Sequence, residues 1–511
     1  MVNQIRIAIL LALVGLVSQW SHLLAQPKIN GPEVYGARPG KDFIYTIPVQ
    51  VRGPFRISAQ GLPKGVRLNA KTAVMTGNVK QTGKYAMELT VKATDGIAKK
   101  QFTLVVGDRL ALTPPMGWSS WYSYGRHVTQ EQIERTAAIL KEKGLQQYGW
   151  NLIEIDDPWA RQPPREDTVW QSLKSRKQPI YTYYEGPDNL PERQGSVRDE
   201  QGNLVPNRFF PDLKGLIGQL HADGFKVGIY SSPGPITCAG ASGSYGYEYR
   251  DAAYWAALGF DYLKYDWCSY GAYAQDDSPE EYKKPYRLMS DALRKQKRDI
   301  IYALCQYGMN EVWSWGDEVG GQLWRTGQDI RDNWKSVYSA MKNLADKAGF
   351  VKPGNWNDPD ILQIGTIGGN DGDGEKRKNG LTEEEQRTHF SMWCMLSAPL
   401  LIGANLEELD DFTRSLLTNE EVIALDQDAL GRAATLEKTL SNGLEVWRKP
   451  LADGSEALAV LNPSDQTCTL ILNEVVNEPD KEIKDLWKRE TVSLQMKKEL
   501  PAHAVWLLHV K

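Results

Sequence analysis

The stretch from Phe260 to Cys268 reads Phe-Asp-Tyr-Leu-Lys-Tyr-Asp-Trp-Cys, with a cation and a carboxylate two positions apart at the end of a short apolar run. Tyr262 and Leu263 favour a strand, along which side chains alternate, so Lys264 and Asp266 fall on one face. A cation that close favours the ionised carboxylate, the state a nucleophile needs. A salt bridge closing a strand end is the competing reading of this nonapeptide alone. Other strand-like segments end in acids as well: Asp156 and Asp157, then Asp329, then Asp358 and Asp360. Trp118, Tyr230, Gln306 and Arg325 occupy equivalent positions. Many carboxylates at one rim, with only 6 His in the chain, suit hydrolysis of an acetal by an acid pair. The same acids could hold Mg²⁺ or Ca²⁺. Lys264 and Arg325 oppose that, because cations beside the site repel a metal. There is no H-E-x-x-H and no C-x-x-C, so a zinc or iron site is not expected.

Such a rim needs strands that all end at the same side. From Leu112 onward, strand-like segments alternate with amphipathic ones. The strand candidates are Pro115–Ser119, Asn151–Asp156, Lys226–Ser231, Tyr262–Asp266, Ile300–Cys305, Gln322–Arg325, Gly354–Asp358 and Leu400–Gly403. Eight units over about 320 residues predict a (β/α)₈ TIM barrel, whose chemistry sits at the C-terminal ends of the strands. A doubly wound sheet is the weaker alternative, since no G-x-G-x-x-G follows the first strand. A long insertion, residues 160–210, leaves the second strand at that end and should roof the pocket. It carries Trp170, Tyr181, Tyr183 and Tyr184.

The flanks differ from the barrel. Residues 26–108 show short alternating segments divided by turn residues and predict a small β-sandwich. Gly61-Leu62-Pro63-Lys64-Gly65-Val66, Thr82-Gly83-Lys84-Tyr85 and Ala93-Thr94-Asp95-Gly96 resemble an Ig-like module, a spacer or docking unit with no cluster of titratable groups. Residues 433–511 turn β again and predict a C-terminal antiparallel β-sandwich, which leaves the catalytic barrel at 109–432. Residues 1–25 read as a secretory signal: Arg6, the apolar Ile7 to Val17, then Leu23-Leu24-Ala25 before Gln26. The apolar run is too short for a membrane span, so an exported, periplasmic or secreted enzyme without a membrane anchor is expected. A net charge of −4 and no basic tract give no footing for nucleic acid. Spacing alone cannot pair the five Cys.

Six motifs in order resemble the melibiase-type α-galactosidases, glycoside hydrolase family 27. They are Pro115-Met116-Gly117-Trp118-Ser119-Ser120-Trp121, Asp156-Asp157, Gly228-Ile229-Tyr230-Ser231, Tyr262 through Cys268, Trp324-Arg325-Thr326-Gly327-Gln328-Asp329-Ile330, and Trp356-Asn357-Asp358-Pro359-Asp360. The resemblance covers Leu112 to the C-terminus. It implies that Asp266 is the nucleophile and Asp329 the acid/base of a retaining exo-α-galactosidase without cofactor. It also implies that Asp156 and Asp157 grip the 4- and 6-hydroxyls, Lys264 bridges ring hydroxyls, and Trp118 walls off carbon six. Tyr230 and Arg325 match further pocket residues, with Asp358 and Asp360 in support. A disulfide between Cys238 and Cys268 is implied too, with Cys305 and Cys394 buried thiols and Cys468 free.

Two departures bear on specificity. Gln306 stands where many members place a Glu toward the 2-hydroxyl, and Pro158 replaces a frequent Cys. An α-N-acetylgalactosaminidase, a β-L-arabinopyranosidase and a non-catalytic glycan-binding protein are the alternatives. The retained Asp157 disfavours the pentose, which has no hydroxymethyl to hold.

Overall fold

The computed structural model describes residues 26–164, 191–368, 375–477 and 480–511. The expected signal segment 1–25 and the aromatic part of the insertion, 165–190, lie outside the described residues.

Eight strands form one parallel sheet: β1 (Met116–Ser119), β2 (Leu152–Ile155), β3 (Lys226–Ser231), β4 (Tyr262–Asp266), β5 (Ile301–Cys305), β6 (Leu323–Arg325), β7 (Trp356–Asp358) and β8 (Leu400–Ile402). Each pairs with its sequence neighbour, and β8 pairs with β1. Parallel bridging of Leu362, just past β7, to Ile402 brings the two ends together, with Leu362 N–H donating to the Leu401 carbonyl at 2.8 Å. The sheet is therefore a closed TIM barrel. Its helices start where the sequence supplies caps. Thr129 and Gln132 form a capping box for α1 (Gln130–Glu142), Asp212 caps α2 (Leu213–Ala222), and Ser278 with Pro279 opens the helix to Arg294.

Side-chain alternation sorts each strand into an axial and a helix-facing set. In β4, Tyr262, Lys264 and Asp266 face the axis, whereas Tyr265 packs outward against Tyr286 and Tyr302 at 6.0 Å between ring centroids. In β1, Ser119 faces the axis and donates to Glu154 Oε2 at 2.6 Å. Trp118 must then face away.

The N-terminal module is a β-sandwich. One sheet runs Val34–Ala37, Gly96–Val106, Gly83–Ala93, Phe55–Gln60, and the other holds Phe43–Thr46, Val74–Gly77 and Val66–Leu68. It contacts the chain just ahead of several barrel strands, and Lys28 also pairs with Glu420 in the helix Glu420–Asp426 that follows β8. Thr46 Oγ1 donates to the Gly224 carbonyl ahead of β3, Asn30 Nδ2 to the Gln147 carbonyl ahead of β2, and Lys41 Nζ to the Arg294 carbonyl ahead of β5. The module thus caps the floor of the barrel and leaves its mouth uncovered. The C-terminal sandwich, built on Glu445–Pro450, Glu456–Leu461 and Val505–Val510, packs on helix Glu383–Met395. Lys449, fully buried there, donates to the Cys394 carbonyl and Ser397 Oγ at 2.9 and 2.6 Å.

Gly117 shows why one motif residue has no side chain: a Cβ there would lie 2.1 Å from the Leu152 carbonyl oxygen on β2. That neighbour is backbone and cannot swing aside. Gly117→Ala should lower barrel stability by roughly 2–3 kcal/mol, read as an earlier midpoint in chemical denaturation with an unchanged slope.

Candidate active site

At the C-terminal mouth, one cavity is bordered by Trp121, Asp156, Asp157, Tyr230, Lys264, Asp266, Tyr307, Arg325, Asp329 and Asp360, with Tyr122, Cys238 and Ile361 completing the wall. Residues from β3, β4 and β6 and from the loops after β1, β2, β3, β5, β6 and β7 meet there. The acids expected at the rim from sequence are thus brought together, apart from Asp358, which is not part of the wall.

Asp266 is buried at the tip of β4. Its Oδ2 accepts a hydrogen bond from the Tyr230 hydroxyl at 3.0 Å, while buried Oδ1 has no partner among the described residues. One oxygen is held by Tyr230 and, among the described residues, the other carries no hydrogen bond. Burial pushes the Asp266 pKa above the ordinary carboxylate value; Lys264 opposes that and Asp329 adds to it, while the Tyr307 and Tyr230 hydroxyls favour the charged form. Burial and the adjacent Asp266 keep the Tyr230 phenol neutral and therefore a donor. Asp329 is different. Its side chain is 53% exposed, and Arg325 Nη2 lies 3.2 Å from its Oδ1.

Two buried cations hold the remaining acids. Lys264 Nζ lies 2.7 Å from Asp156 Oδ2. Burial alone would lower the Lys264 pKa, but Asp156 and its neighbours drive it well above the usual lysine value. Arg325 Nη2 lies 3.0 Å from Asp360 Oδ2, which also accepts from the Tyr122 hydroxyl at 3.0 Å and the Ile330 N–H at 2.8 Å. Even so, burial raises Asp360 to about 6. Asp358 sits behind it, taking the Asp360 N–H on Oδ1 at 2.8 Å. Asp157 lacks a cation: Thr237 Oγ1 and the Ala239 N–H donate to its two oxygens at 2.8 and 2.6 Å, and burial raises it to about 7.

Cys238 and Cys268 form a disulfide, tying the loop after β3 to the end of β4. Cys268 Sγ also lies 3.2 Å from the Tyr230 hydroxyl. Cys305 and Cys394 are buried free thiols, and Cys468 is free and partly exposed. Left-handed backbone at Cys268 (φ 27°), Tyr307 (φ 64°) and Asp360 (φ 103°) surrounds the cavity. Each non-glycine residue so placed costs about 1–3 kcal/mol, strain that packing elsewhere must hold.

Two expected wall residues are not there. Trp118 is completely buried, its indole N–H donating to the Ala404 carbonyl at 2.9 Å and to Ser123 Oγ at 3.1 Å. The alternation of β1 turns it from the axis, and Trp121 three positions on borders the cavity instead. Gln306 is likewise buried, its Nε2 donating to the Met309 carbonyl at 2.9 Å. It follows axial Cys305, so it points outward, and left-handed Tyr307 turns its ring into the wall. Thr237 and Ala239, which fix Asp157, were missed as well; Ile236-Thr237-Cys238 in the sequence was the only signal for them.

Comparison with known proteins matches this architecture. Residues 177–428 fit the family model "Alpha galactosidase A", residues 441–510 the "Alpha galactosidase C-terminal beta sandwich domain", and residues 26–107 an Ig domain model. Alpha-galactosidase A of Cellvibrio japonicus is 35% identical over 372 residues, 70% of this chain and 78% of its own. A Dictyostelium discoideum relative described as a probable alpha-galactosidase is 33% identical over 409 residues, 78% of this chain and 92% of its own. The solved structure of a Bacteroides fragilis protein assigned as an alpha-galactosidase/melibiase is 33% identical, with a TM-score of 0.83 over 95% of this chain and 98% of that one. This chain therefore belongs to the melibiase family of α-galactosidases and is a glycoside hydrolase.

Proposed function

We propose that the protein is a retaining exo-α-galactosidase in which Asp266 is the nucleophile and Asp329 the acid/base. The observation that carries this is the contrast between the two acids on one small cavity: Asp266 buried with one oxygen free of hydrogen bonds among the described residues, Asp329 half exposed on Arg325. Asp266 attacks the anomeric carbon as the glycosidic bond breaks, and the proton of Asp329 passes to the departing oxygen. Water then enters from the side the leaving group vacated. Asp329 takes its proton, its oxygen bonds to the anomeric carbon, and Asp266 departs as carboxylate. Two inversions leave the α configuration. Exposure of Asp329 places it where a leaving group of variable size meets solvent, while burial of Asp266 keeps water from the nucleophile.

The other wall residues fit a single galactosyl ring. The ion pair of Asp156 and Lys264 offers an acceptor and a donor side by side, suited to an axial 4-hydroxyl and its neighbour. Asp157 has further lone pairs for the 6-hydroxyl. Tyr307 and Arg325, with the guanidinium 5.8 Å from the ring centroid, occupy the wall beside Asp329 with bulk that disfavours a 2-acetamido group. The work is divided among an N-terminal module at 26–108, a catalytic barrel at 109–432 and a sandwich at 433–511. Export fits the signal-like residues 1–25 and the Cys238–Cys268 disulfide. Among the described residues no helix is long and apolar enough to cross a membrane.

Replacing Asp266 with Ala should lower kcat by at least about 10³-fold. Asp329→Ala should retain the first step on an aryl galactoside with a good leaving group, with azide accelerating the second and giving the α-azide. Wild-type behaviour of Asp329→Ala on natural galactosides would end the assignment. The acidic limb of kcat/KM should report Asp266 and lie above the usual aspartate range, because the folded site favours the protonated form. Removing the cation in Lys264→Gln disfavours the carboxylate further, so the limb should move to higher pH; a limb that stays put or falls contradicts the reading. Asp157→Ala should cut kcat/KM on an aryl α-galactoside by roughly 10–100-fold. The same change should alter an aryl β-L-arabinopyranoside far less, as two parallel assays would show.

A further inference from the structure

The near-neutral balance of the whole chain, 60 Lys and Arg against 64 Asp and Glu, hides a segregation of charge. Residues 26–107 carry thirteen Lys and Arg against four Asp and Glu, so the small module is strongly basic and the remainder correspondingly acidic. Only part of that basic charge serves docking to the barrel. Lys28 pairs with Glu420 at 2.8 Å, the Arg38 N–H donates to Asp299 at 2.8 Å, and Lys41 reaches the Arg294 carbonyl. Arg52, Arg56, Lys84, Lys92 and Lys99 are instead exposed to solvent, and among the described residues only Lys99 has an ion-pair partner, Glu88 at 2.7 Å.

The four-stranded sheet organises these side chains. The hairpin Gly83–Ala93/Gly96–Val106 pairs without a register shift, so its inner face carries Met87, Leu89, Val91, Phe102 and Leu104, all buried. Lys84, Lys92 and Lys99 stand on the outer face, and Arg56 joins them from strand Phe55–Gln60, directly opposite Lys92. Like charges facing each other across an antiparallel pair destabilise a sheet. Folding gains nothing from that arrangement, whereas an anionic ligand does.

From this geometry we infer that the outer face of the four-stranded sheet is a docking surface for an acidic polysaccharide, one bearing carboxylates along its chain. Ser58, Gln60, Thr90 and Gln101 stand between the cations on the same face and match sugar hydroxyls. The face bears no aromatic ring for stacking on a neutral sugar, so charge must supply the affinity. A lipid surface fits less well: Ile97 is the module's one exposed large apolar side chain among the described residues, and interfacial binding needs buried apolar area. The acidic remainder of the chain would also be repelled by an anionic membrane, whereas a polymer strand can engage the module alone. Because the module caps the barrel floor, a strand held on it leaves the mouth free, and the inference is independent of the sugar cleaved there.

The test compares binding of the full chain to polygalacturonate, to neutral galactomannan under conditions without turnover, and to phosphatidylglycerol vesicles. Polygalacturonate should bind and galactomannan should not bind through the module. Affinity for polygalacturonate should fall by about tenfold as NaCl rises from about 50 to 300 mM, since exposed charges are screened over that range. Arg56→Glu/Lys92→Glu/Lys99→Glu should abolish this binding and leave hydrolysis of an aryl α-galactoside unchanged. The milder Arg56→Gln/Lys92→Gln/Lys99→Gln should weaken it at least about tenfold if reversal of charge impairs folding. Equal binding by the Gln triple variant, no wild-type binding to polygalacturonate, or binding to vesicles alone would each overturn the inference.

Discussion

Everything at the barrel mouth answers to one constraint: carboxylates crowded into a poorly hydrated space must be paired with cations, supplied with hydrogen-bond donors, or left protonated. Among the described residues, five Asp side chains border the cavity beside two cations, Lys264 and Arg325. Lys264 is committed to Asp156, and Arg325 is divided between Asp360 and Asp329. Among the described residues Asp157 and Asp266 receive no direct ion pair, so they depend on Thr237, the Ala239 N–H and Tyr230. The consequence is visible in their proton affinities, which burial raises at both positions. In the proposed mechanism Asp266, destabilised as an anion by burial while Lys264 works in the opposite sense, gains by forming a neutral ester.

The same constraint reaches one layer below. Glu154, two residues before Asp156 on β2, faces the barrel axis and is fully buried. Burial, then Asp156, raises its pKa well above the usual value, and Ser119 donates to one of its oxygens. The shift favours the protonated form, which would add no negative charge beneath the Asp156–Lys264 pair. Gly228, whose Cβ would sit 3.0 Å from both Glu154 Cγ and Tyr262 Cδ1, makes room for it. Strand alternation thus stacks Glu154 one layer beneath the Asp156–Lys264 pair, and that ion pair is the layer that lines the cavity.

Much of this was legible because the barrel repeats a simple pattern. Apolar runs ending in acids announced both the strands and their functional ends, and the eight strands lie within one or two residues of the expected segments. The acids were readable because a side chain at a strand tip is placed by periodicity alone. Trp121 and Tyr307 were not, since they follow strand ends in loops where periodicity stops. The place of Trp118 in the wall rested on family resemblance, but the parity of Ser119, settled by its bond to Glu154, decides which way β1 presents its side chains. Gln306 failed for a related reason: it lies one step past axial Cys305, and the left-handed turn at Tyr307 is a local choice that residue type does not announce. The disulfide followed from family resemblance, not from spacing.

The basic module shows the opposite limit. Whole-chain charge suggested no affinity for anions, because acidic barrel and basic module cancel in the sum. Electrostatic potential is local at physiological salt, decaying over about 8 Å, so a partner at the sheet face meets the module's charge and little of the barrel's. Position completes the argument. The module touches the loops that precede barrel strands and the catalytic acids sit where strands end, so whatever binds one end need not crowd the other. A chain arranged this way can be tethered by its floor while its mouth, rimmed with carboxylates, faces neutral galactosides undisturbed by the tether's charge.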